Sequence, residues 1–344
     1  MAYTTIDDPS EFFNTILYTG DGNASGARSI TGVGFKPDWV WIKERDNTAY
    51  HNLFDSNRGV GKVLHTNTND AEGDYTSYHT AFGSDGFTLE NNPGSLNGNT
   101  DTYVAWNWKA NGGTTSSNTD GSITSTVQAN TTAGFSIVTY TGTGSNATVG
   151  HGLGAKPNVI LLKDRAGFSW VVYHDKVASD PATDYLEFNG TIAATDYAAH
   201  FNDTEPTSTV FSLGTDGAVN GSSRNVIAYC FAEKKGYSKF GSYEANDSTD
   251  GTFIYTGFKP AWVILKCVDS TGNWFLFDNT RDNSNMVTQT IYGDLNAAEN
   301  TESNGLDFLS NGIKLRQSGS GGINHSGTYI YMAFAEHPFV SSKG

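Results

Sequence analysis

The sequence predicts an all-β protein built from three tandem β-sandwich repeats, and three observations support this fold class. Aromatic residues make up 13% of the 344 residues, while charged residues make up only 17%, against about 25% in an average globular protein. Glycine is enriched at 39 residues, and strong helix formers are sparse beside Thr, Tyr, Phe and Val, which favours strands joined by many turns. The third observation is a set of landmarks that recurs three times along the chain.

A Lys-Pro pair followed by an apolar strand marks each copy. The segment Gly34–Pro37 recurs as Gly154–Pro157 and as Gly257–Pro260, and strands are predicted to follow at 39–43, 158–163 and 262–266. In every copy a lysine lies six residues after the proline, and an aspartate lies twelve residues after that lysine. Such constant spacing indicates one structural unit used three times. The lysines are Lys43, Lys163 and Lys266, and the aspartates are Asp55, Asp175 and Asp278.

The copies are long enough to be domains rather than solenoid repeats. Pro37 and Pro157 are 120 residues apart and Pro157 and Pro260 are 103 residues apart, whereas solenoid repeats run about 20–45 residues. Short strands between Gly, Asn, Asp and Ser turns are typical of a β-sandwich, of jelly-roll or concanavalin-like form. We expect each copy to have its own core, with the first copy more independent than the other two. The predicted divisions are an N-terminal arm (1–14), repeat 1 (15–112), a Ser/Thr/Gly linker (113–132), repeat 2 (133–236) and repeat 3 (237–344).

Charge and hydropathy exclude several classes of protein. The formal net charge of −15 argues against a nucleic-acid binder, which needs a basic surface, and against docking on an anionic membrane. The longest apolar runs, of which Val226–Ala232 is one, are too short to span a bilayer. No basic segment precedes an apolar one at the N-terminus, so we expect no secretory signal. Cys230 and Cys267 do not make a disulfide framework, and we expect them to be small buried residues in strands.

Residue patterns that support catalysis are missing from the sequence. The chain has no Gly-x-Ser-x-Gly, His-Glu-x-x-His, Walker A or Cys-x-x-Cys motif. Glu44 and Asp46 come nearest to the carboxylate pair of a retaining glycosidase, but the other copies have no counterpart. His51, His65 and His79 are likewise confined to the first copy. We therefore predict a protein that is not an enzyme and has no catalytic residue, no cofactor and no metal.

The recurrent aspartates have two interpretations. Calcium binding, as in lectin-like sandwiches, needs six to eight oxygen ligands, usually from several carboxylates, and no second acidic residue recurs in register. The alternative, which we favour, is that each aspartate accepts hydrogen bonds from the backbone of the turn that follows its strand. The recurrent lysines are expected to pair with these aspartates.

Aromatic residues divide into a recurrent class and a class without counterparts. Trp39, Trp41, Trp106 and Trp108 belong to the recurrent strands, and we expect them in the core. Loop aromatics that do not recur are better candidates for stacking on a ligand. They are Tyr50, Tyr75, Tyr78 and Trp170.

The N-terminal arm is apolar for a chain end. It contains Tyr3, Ile6, Phe12 and Phe13, and an exposed tail gains nothing from such side chains, whereas an arm laid in a groove of a partner buries them. We interpret these four residues as attachment residues. The alternative is a frayed end.

Several segments resemble a family of virion-associated proteins from tailed phages of marine bacteria. The segments are the opening Thr5–Ser10 with Tyr18–Gly20, the Gly-Phe-Lys-Pro-x-Trp-Val strand, the turn Asp55–Arg58, the Gly-Phe-Thr-Leu strand and the run Phe240–Pro260. The resemblance covers nearly the whole chain. The family's domain is uncharacterised and is sometimes labelled concanavalin A-like or tail-fibre-like. It implies a place in the virion but no catalytic or binding residue.

Together these observations predict a non-enzymatic structural protein on the surface of a phage virion, made in the bacterial host cytoplasm. The first hypothesis is a capsid decoration protein attached by its N-terminal arm. The alternative is a tail-fibre adhesin that binds host-surface glycans, and a glycan depolymerase is a remote third. The sequence lacks the heptad or collagen repeat of a fibre shaft, which favours decoration over the adhesin. The expected partners are other virion proteins and further copies of this chain in a homo-oligomer, with host-surface glycans in the adhesin alternative, but neither nucleic acid nor membrane.

Overall fold

A computed structural model describes residues 4–22, 26–91, 94–319 and 321–338, and in these residues the protein is all-β. The predicted fold class is confirmed at this level, with sheets packed in a sandwich-like arrangement. No described helix is long and apolar enough to cross a membrane. Within the described residues, the helical elements are a 3-10 turn (Pro9–Glu11) and three four-residue helices, α1 (Gly94–Asn97), α2 (Ala198–Phe201) and α3 (Gly217–Asn220).

The first third of the chain forms a six-stranded sheet covered on one face by a three-stranded sheet. Its strands are β1 (Phe13–Thr19), β2 (Arg28–Thr31), β3 (Trp39–Glu44), β4 (Asn52–Asp55), β5 (Lys62–His65), β6 (Gly73–Asp74), β7 (His79–Gly83), β8 (Gly86–Leu89) and β9 (Thr102–Trp108). The order is β1-β9-β3-β4-β5-β6 in the large sheet and β2-β8-β7 in the small one. The predicted strand 39–43 is β3, and all six of its residues are buried, because its alternate side chains face two different apolar clusters.

The second third forms an eight-stranded sheet and a two-stranded one. Its strands are β10 (Ser116–Asn118), β11 (Ser125–Asn130), β12 (Phe135–Thr141), β13 (Ala147–Gly150), β14 (Val159–Asp164), β15 (Val171–His174), β16 (Asp184–Glu187), β17 (Thr195–Asp196), β18 (Val210–Leu213) and β19 (Asn225–Phe231). The large sheet has the order β10-β11-β12-β19-β14-β15-β16-β17, and β13 pairs with β18. From β12 onward, this is the strand order of the first large sheet.

The last third forms one eight-stranded sheet that bends over itself. Its strands are β20 (Ser238–Ala245), β21 (Phe253–Tyr255), β22 (Phe258–Cys267), β23 (Phe275–Asp278), β24 (Val287–Tyr292), β25 (Asn300–Leu309), β26 (Gly312–Leu315) and β27 (Gly327–Pro338). The order is β20-β27-β22-β23-β24-β25-β26-β21. Cys230 in β19 and Cys267 in β22 are buried and free, as predicted.

The segment 113–132 is not the extended linker that its composition predicts. Strands β10 and β11 lie in it and widen the second sheet. Val127 is buried, and Gln128 Nε2 donates to Ser56 Oγ of the first third at 3.0 Å. A Ser- and Thr-rich stretch forms edge strands through its backbone bonds without large apolar side chains, which composition does not reveal. The expected independence of the first third is therefore wrong.

The inner faces of the three large sheets pack against one another around a single aromatic core. The expectation of three separate cores is met only on the outer faces, where each large sheet has its own apolar cluster. The reason is that the central strands carry apolar side chains on both faces, so each sheet must be covered twice. The side chains at the centre are at most 3% exposed. They are the register pairs Trp39–Trp108, Val159–Phe231 and Trp262–Phe334.

Backbone hydrogen bonds join the three thirds in a cyclic order, in which the third donates to the first, the first to the second and the second to the third. This ring of contacts consists of hydrogen bonds between loops. These are Glu299 N to Arg45 O (2.7 Å), Glu72 N to Arg165 O (2.8 Å) and Ala194 N to Val268 O (2.8 Å). Side chains next to the core also bridge each pair of thirds, although the bond of His174 runs from the second third to the third and is not equivalent to the other two. The side-chain bonds are Trp106 Nε1 to Asp278 (3.0 Å), Tyr229 OH to Asp55 (2.7 Å) and His174 Nε2 to Tyr331 O (3.2 Å).

Candidate functional site

The recurrent aspartates Asp55 and Asp278 stabilise turns, as predicted. The Oδ1 atom of Asp55 accepts two backbone N–H groups of its own turn (3.1 and 2.8 Å), and its Oδ2 atom accepts Arg58 Nε and the Tyr229 hydroxyl. Asp278 has the same backbone partners and pairs with Arg281 Nε at 2.6 Å. Both carboxylates are fully buried. Their acceptor positions are occupied by protein donors rather than left open for a cation.

Asp175 differs from the other two because no arginine follows it. Its Oδ2 atom accepts from Asn158 Nδ2 at 2.7 Å and pairs with Lys176 Nζ at 3.1 Å. Across the described residues, no group of three or more His, Cys, Asp or Glu side chains is arranged to hold a metal ion.

The recurrent lysines fix loops and do not pair with the aspartates, so that expectation is wrong. Lys43 Nζ donates to the Asn47 carbonyl at 3.3 Å, and Lys163 Nζ donates to the carbonyls of Gly167 (3.3 Å) and Phe168. Lys266 Nζ reaches a carbonyl of the neighbouring third. Burial lowers the pKa of each lysine to about 8. Each lysine therefore anchors the loop that follows its own central strand or a loop beside it.

Glu44 and Asp46, the nearest candidates for a catalytic pair, hold loops as well. Glu44 is buried and accepts from Asn47 Nδ2 at 2.7 Å, and burial raises its pKa. Asp46 accepts the backbone N–H (2.5 Å) and the hydroxyl (2.8 Å) of Thr102. Neither carboxylate lines a described pocket.

Of the aromatic side chains proposed to stack on a ligand, Trp170 is buried and the other three are accessible. Trp170 has no exposed surface, and its Nε1 donates to the His65 carbonyl at 2.9 Å, so its assignment as a platform is wrong. Tyr50 is 47% exposed, and Tyr75 and Tyr78 are half-buried. The four tryptophans expected in the core are there: Trp39, Trp41, Trp106 and Trp108.

The proposed attachment residues of the N-terminal arm are largely used inside the protein. Ile6 and Phe13 are 2% and 3% exposed and belong to the shared core. The Phe13 ring lies 4.6 Å from that of Trp108, and strand β1 begins at Phe13 rather than after residue 14. Phe12 packs partly buried against the same core. Tyr3 lies outside the described residues. The interpretation of these residues as attachment residues is therefore wrong for Ile6 and Phe13, because their side chains pack in the chain's own core rather than on a partner.

An aromatic pocket of about 310 Å³ lies on the outer side of the second sheet. The loop after β14 supplies Phe168, strand β16 supplies Tyr185, and the segment after β17 supplies Tyr197 and His200. The ring centroids of Tyr185 and His200 are 4.3 Å apart at 88°, and those of Tyr197 and His200 are 4.8 Å apart at 79°. These edge-to-face contacts hold the rings in fixed relative orientations.

Phe168 lines one side of this pocket and has a backbone conformation that a phenylalanine rarely adopts. Its φ is +70°, in the left-handed region that bulky side chains avoid. The Lys163 ammonium group holds its carbonyl, and the Arg224 guanidinium lies over its ring at 4.6 Å. The ring also lies beside Gly217, where a Cβ would be in ordinary van der Waals contact with Phe168 Cζ at 3.4 Å. Despite these contacts Phe168 is 44% exposed.

The polar groups of the pocket include two carboxylates, two phenols and a histidine. Asp216 caps α3, since its Oδ1 atom accepts Ala218 N at 2.7 Å, and its Oδ2 atom accepts the Tyr197 hydroxyl at 3.2 Å. His200 Nε2 lies 3.5 Å from Asp216 Oδ1, and burial lowers the histidine pKa to about 4. No described residue donates to the Glu187 carboxylate or bonds the Tyr185 hydroxyl. The pocket thus offers a free acceptor and a free hydroxyl beside exposed rings.

Sequence reasoning missed these residues for identifiable reasons. Phe168 follows the polar turn at 164–167, and an aromatic residue in a polar turn was a usable signal for an exposed ring. Tyr185, Tyr197 and His200 carry no such signal, because they lie 17 to 32 positions after Phe168 and only folding brings them to it.

These features define an all-β protein in which sandwich-like sheets share one core and one sheet carries an aromatic pocket. The chain belongs to the family described as a domain of unknown function, DUF7483, whose model matches residues 8–338. The matched range includes all three large sheets. No curated protein and no solved structure matches the chain.

Proposed function

We propose that the protein is a non-catalytic binding protein that takes a neutral glycan in the aromatic pocket of the second sheet. The observation that carries this proposal is the strained, exposed Phe168. Residues in sparsely populated backbone regions cost about 1–3 kcal/mol each and cluster at binding sites, where the surrounding structure holds them in place. We infer that a ligand covers the exposed Phe168 ring, which would explain why the protein holds this residue in a strained conformation.

The chemistry of the pocket suits a sugar ring. The C–H face of a pyranose stacks on the negative face of an aromatic ring, and Phe168 and Tyr197 are 44% and 43% exposed. Sugar hydroxyls donate to the Glu187 carboxylate and accept from the Tyr185 hydroxyl. The formal net charge of −15, together with the two pocket carboxylates, repels an anionic ligand, so we propose a neutral one.

We also infer that the chain consists of three tandem copies of one unit around a pseudo-threefold axis. The common strand order of the three large sheets and the cyclic ring of backbone hydrogen bonds support this inference. Three sheets that share one core form a rigid body, which suits a protein that presents a binding site on a particle.

The resemblance to virion-associated phage proteins supports a location on the surface of a virion. Of the two virion roles, the geometry favours an adhesin over a capsid decoration protein. Ile6 and Phe13, which attachment through the arm requires, are already buried in the protein's own core. The pocket, by contrast, is open to a ligand.

An array of neutral and anionic glycans tests the proposed function. Wild-type protein should bind neutral glycans, and Phe168→Ala should weaken that binding at least tenfold. Tyr255→Ala is the matched control, because Tyr255 is a 56% exposed aromatic residue on β21 in the third sheet, outside the pocket. Thermal melts verify that both variants fold.

Two results would contradict the proposal. One is the absence of binding to every neutral glycan on the array, and the other is equal binding by wild type and Phe168→Ala. Release of shortened products from a bound polysaccharide would instead favour the depolymerase alternative.

A further inference from the structure

A row of aromatic rings lies on the first large sheet, outside the pocket. The ring centroids of Tyr50 and His65 are 4.9 Å apart, those of His65 and Tyr75 are 6.2 Å apart, and those of Tyr75 and Tyr78 are 5.3 Å apart. Tyr50 is the most exposed of the four. No described residue bonds the hydroxyl groups of the three tyrosines. This aromatic row therefore offers ring faces and three free hydroxyls.

The aromatic row occupies the same position in its sheet as the pocket does in the next one. Tyr75 follows directly after β6, as Tyr197 follows directly after β17, and each strand pairs with the one before it in the large sheet. Three residues further along lie Tyr78 in the first third and His200 in the second. Two aromatic surfaces at matching positions point to one type of ligand.

The two surfaces are close neighbours across the contact between the first and second thirds. Arg165, at the start of the Phe168 loop, makes a bidentate salt bridge to Glu72 with both distances at 2.7 Å. Trp170 is two residues from Phe168, at most about 7 Å along the backbone. The Trp170 indole donates to the carbonyl of His65, whose ring is a member of the row. The salt bridge and the indole bond fix the Phe168 loop against the first sheet.

We propose that the aromatic row is a second subsite for the same ligand, so that one neutral oligosaccharide spans the row and the pocket. This inference rests on the proposed function of the pocket. A short sugar fills the pocket alone, and a longer one also stacks on Tyr50 and Tyr75. The added contact increases affinity because the second subsite is engaged within one bound complex.

Calorimetry with a disaccharide and a hexasaccharide tests the second subsite. The probes are β-1,4-, β-1,3- and α-1,4-linked gluco-oligosaccharides and agaro-oligosaccharides, taken from a series that the protein binds on the array. Tyr50→Ala should weaken hexasaccharide binding about three- to tenfold, the usual range for one aromatic stacking contact, and leave disaccharide binding unchanged. Tyr255→Ala should change neither, and wild type should bind one hexasaccharide per chain.

The outcomes separate this inference from the proposed function. If Tyr50→Ala leaves hexasaccharide affinity unchanged, or weakens both lengths equally, or if two hexasaccharides bind per chain, the second subsite is refuted. The proposed function survives those results as long as Phe168→Ala weakens binding of both lengths at least tenfold. If Phe168→Ala changes neither length, or if no series binds, the proposed function itself fails.

Discussion

Two tyrosines in the shared core permit a direct test of how the sheets are held together. Tyr229 and Tyr237 are both fully buried and belong to the same cluster. The Tyr229 hydroxyl donates to the buried Asp55 carboxylate at 2.7 Å and so joins the second third to the first. The Tyr237 hydroxyl has no partner among the described residues. Replacing each by phenylalanine removes one oxygen atom and keeps the ring.

The two substitutions should change stability in opposite directions. A hydrogen bond to a charged acceptor contributes about 1.5–3 kcal/mol, so Tyr229→Phe should lower the free energy of unfolding by about 2 kcal/mol. Burying an unpaired hydroxyl costs about 1–3 kcal/mol, so Tyr237→Phe should raise the free energy of unfolding by about 1 kcal/mol. The expected difference between the variants is about 3 kcal/mol.

Urea denaturation followed by tryptophan fluorescence and by far-ultraviolet circular dichroism measures this difference. Coincident transitions by the two probes would justify a single free energy for a chain of this length. If both variants lose the same amount of stability, the contact between Tyr229 and Asp55 does not hold the sheets together as the geometry indicates.

Four further predictions follow from the shared core, the N-terminal segment and the buried polar groups. Residues 1–112 expressed alone should aggregate, because Trp39 and its neighbours lose the side chains of the other two thirds that pack against them. A soluble monomer with a native-like thermal melt would refute the shared core. Ile6→Ala should cost about 2–4 kcal/mol, whereas Leu17→Ala, at a 37% exposed position, should cost under about 1 kcal/mol; equal losses in urea denaturation would mean that the arm is frayed. Burial lowers the pKa of His79, His151, His174 and His200 to between about 3 and about 4. As the pH falls, the unfolded chain therefore binds protons at these histidines before the folded protein does. The free energy of unfolding should be highest above pH 6.5 and fall toward pH 4. Urea denaturation at pH 7, 5.5 and 4.5 measures this dependence of stability on pH. Asp294 contributes in the opposite direction, because its pKa is raised to about 6. A free energy of unfolding that is constant over this range would contradict the lowered histidine pKa values. Melting temperatures should be equal in EDTA and in calcium, because protein donors occupy Asp55 and Asp278, and a calcium-dependent shift of many degrees would reverse that interpretation.

Local pattern was sufficient for the features that depend on one strand and its turn. The all-β class, the central position of β3 and the turn role of Asp55 were all predictable, because strand propensity, two-faced apolar patterning and Asp-turn geometry act over a few residues. The spacing from proline to lysine to aspartate also identified the strands correctly, since the register of a strand and its turn follows from the chain itself. The predicted role of the recurrent lysines, to pair with the aspartates, was wrong. Their acceptors are carbonyl groups of loops whose path the sequence does not define.

Tertiary structure alone decided what covers each apolar surface and where the pocket forms. The pattern of β3 requires a cover on two faces but does not say whether a partner, the same repeat or another third of the chain provides it. From the sequence, Ile6 and Phe13 were therefore predicted to be attachment residues, whereas in the structure they lie in the shared core. The pocket likewise joins Phe168, Tyr185 and His200 from a loop, a strand and the short helix α2. Its defining feature, the left-handed backbone of Phe168, is set by the surrounding contacts rather than by the local sequence, which on its own favours negative φ.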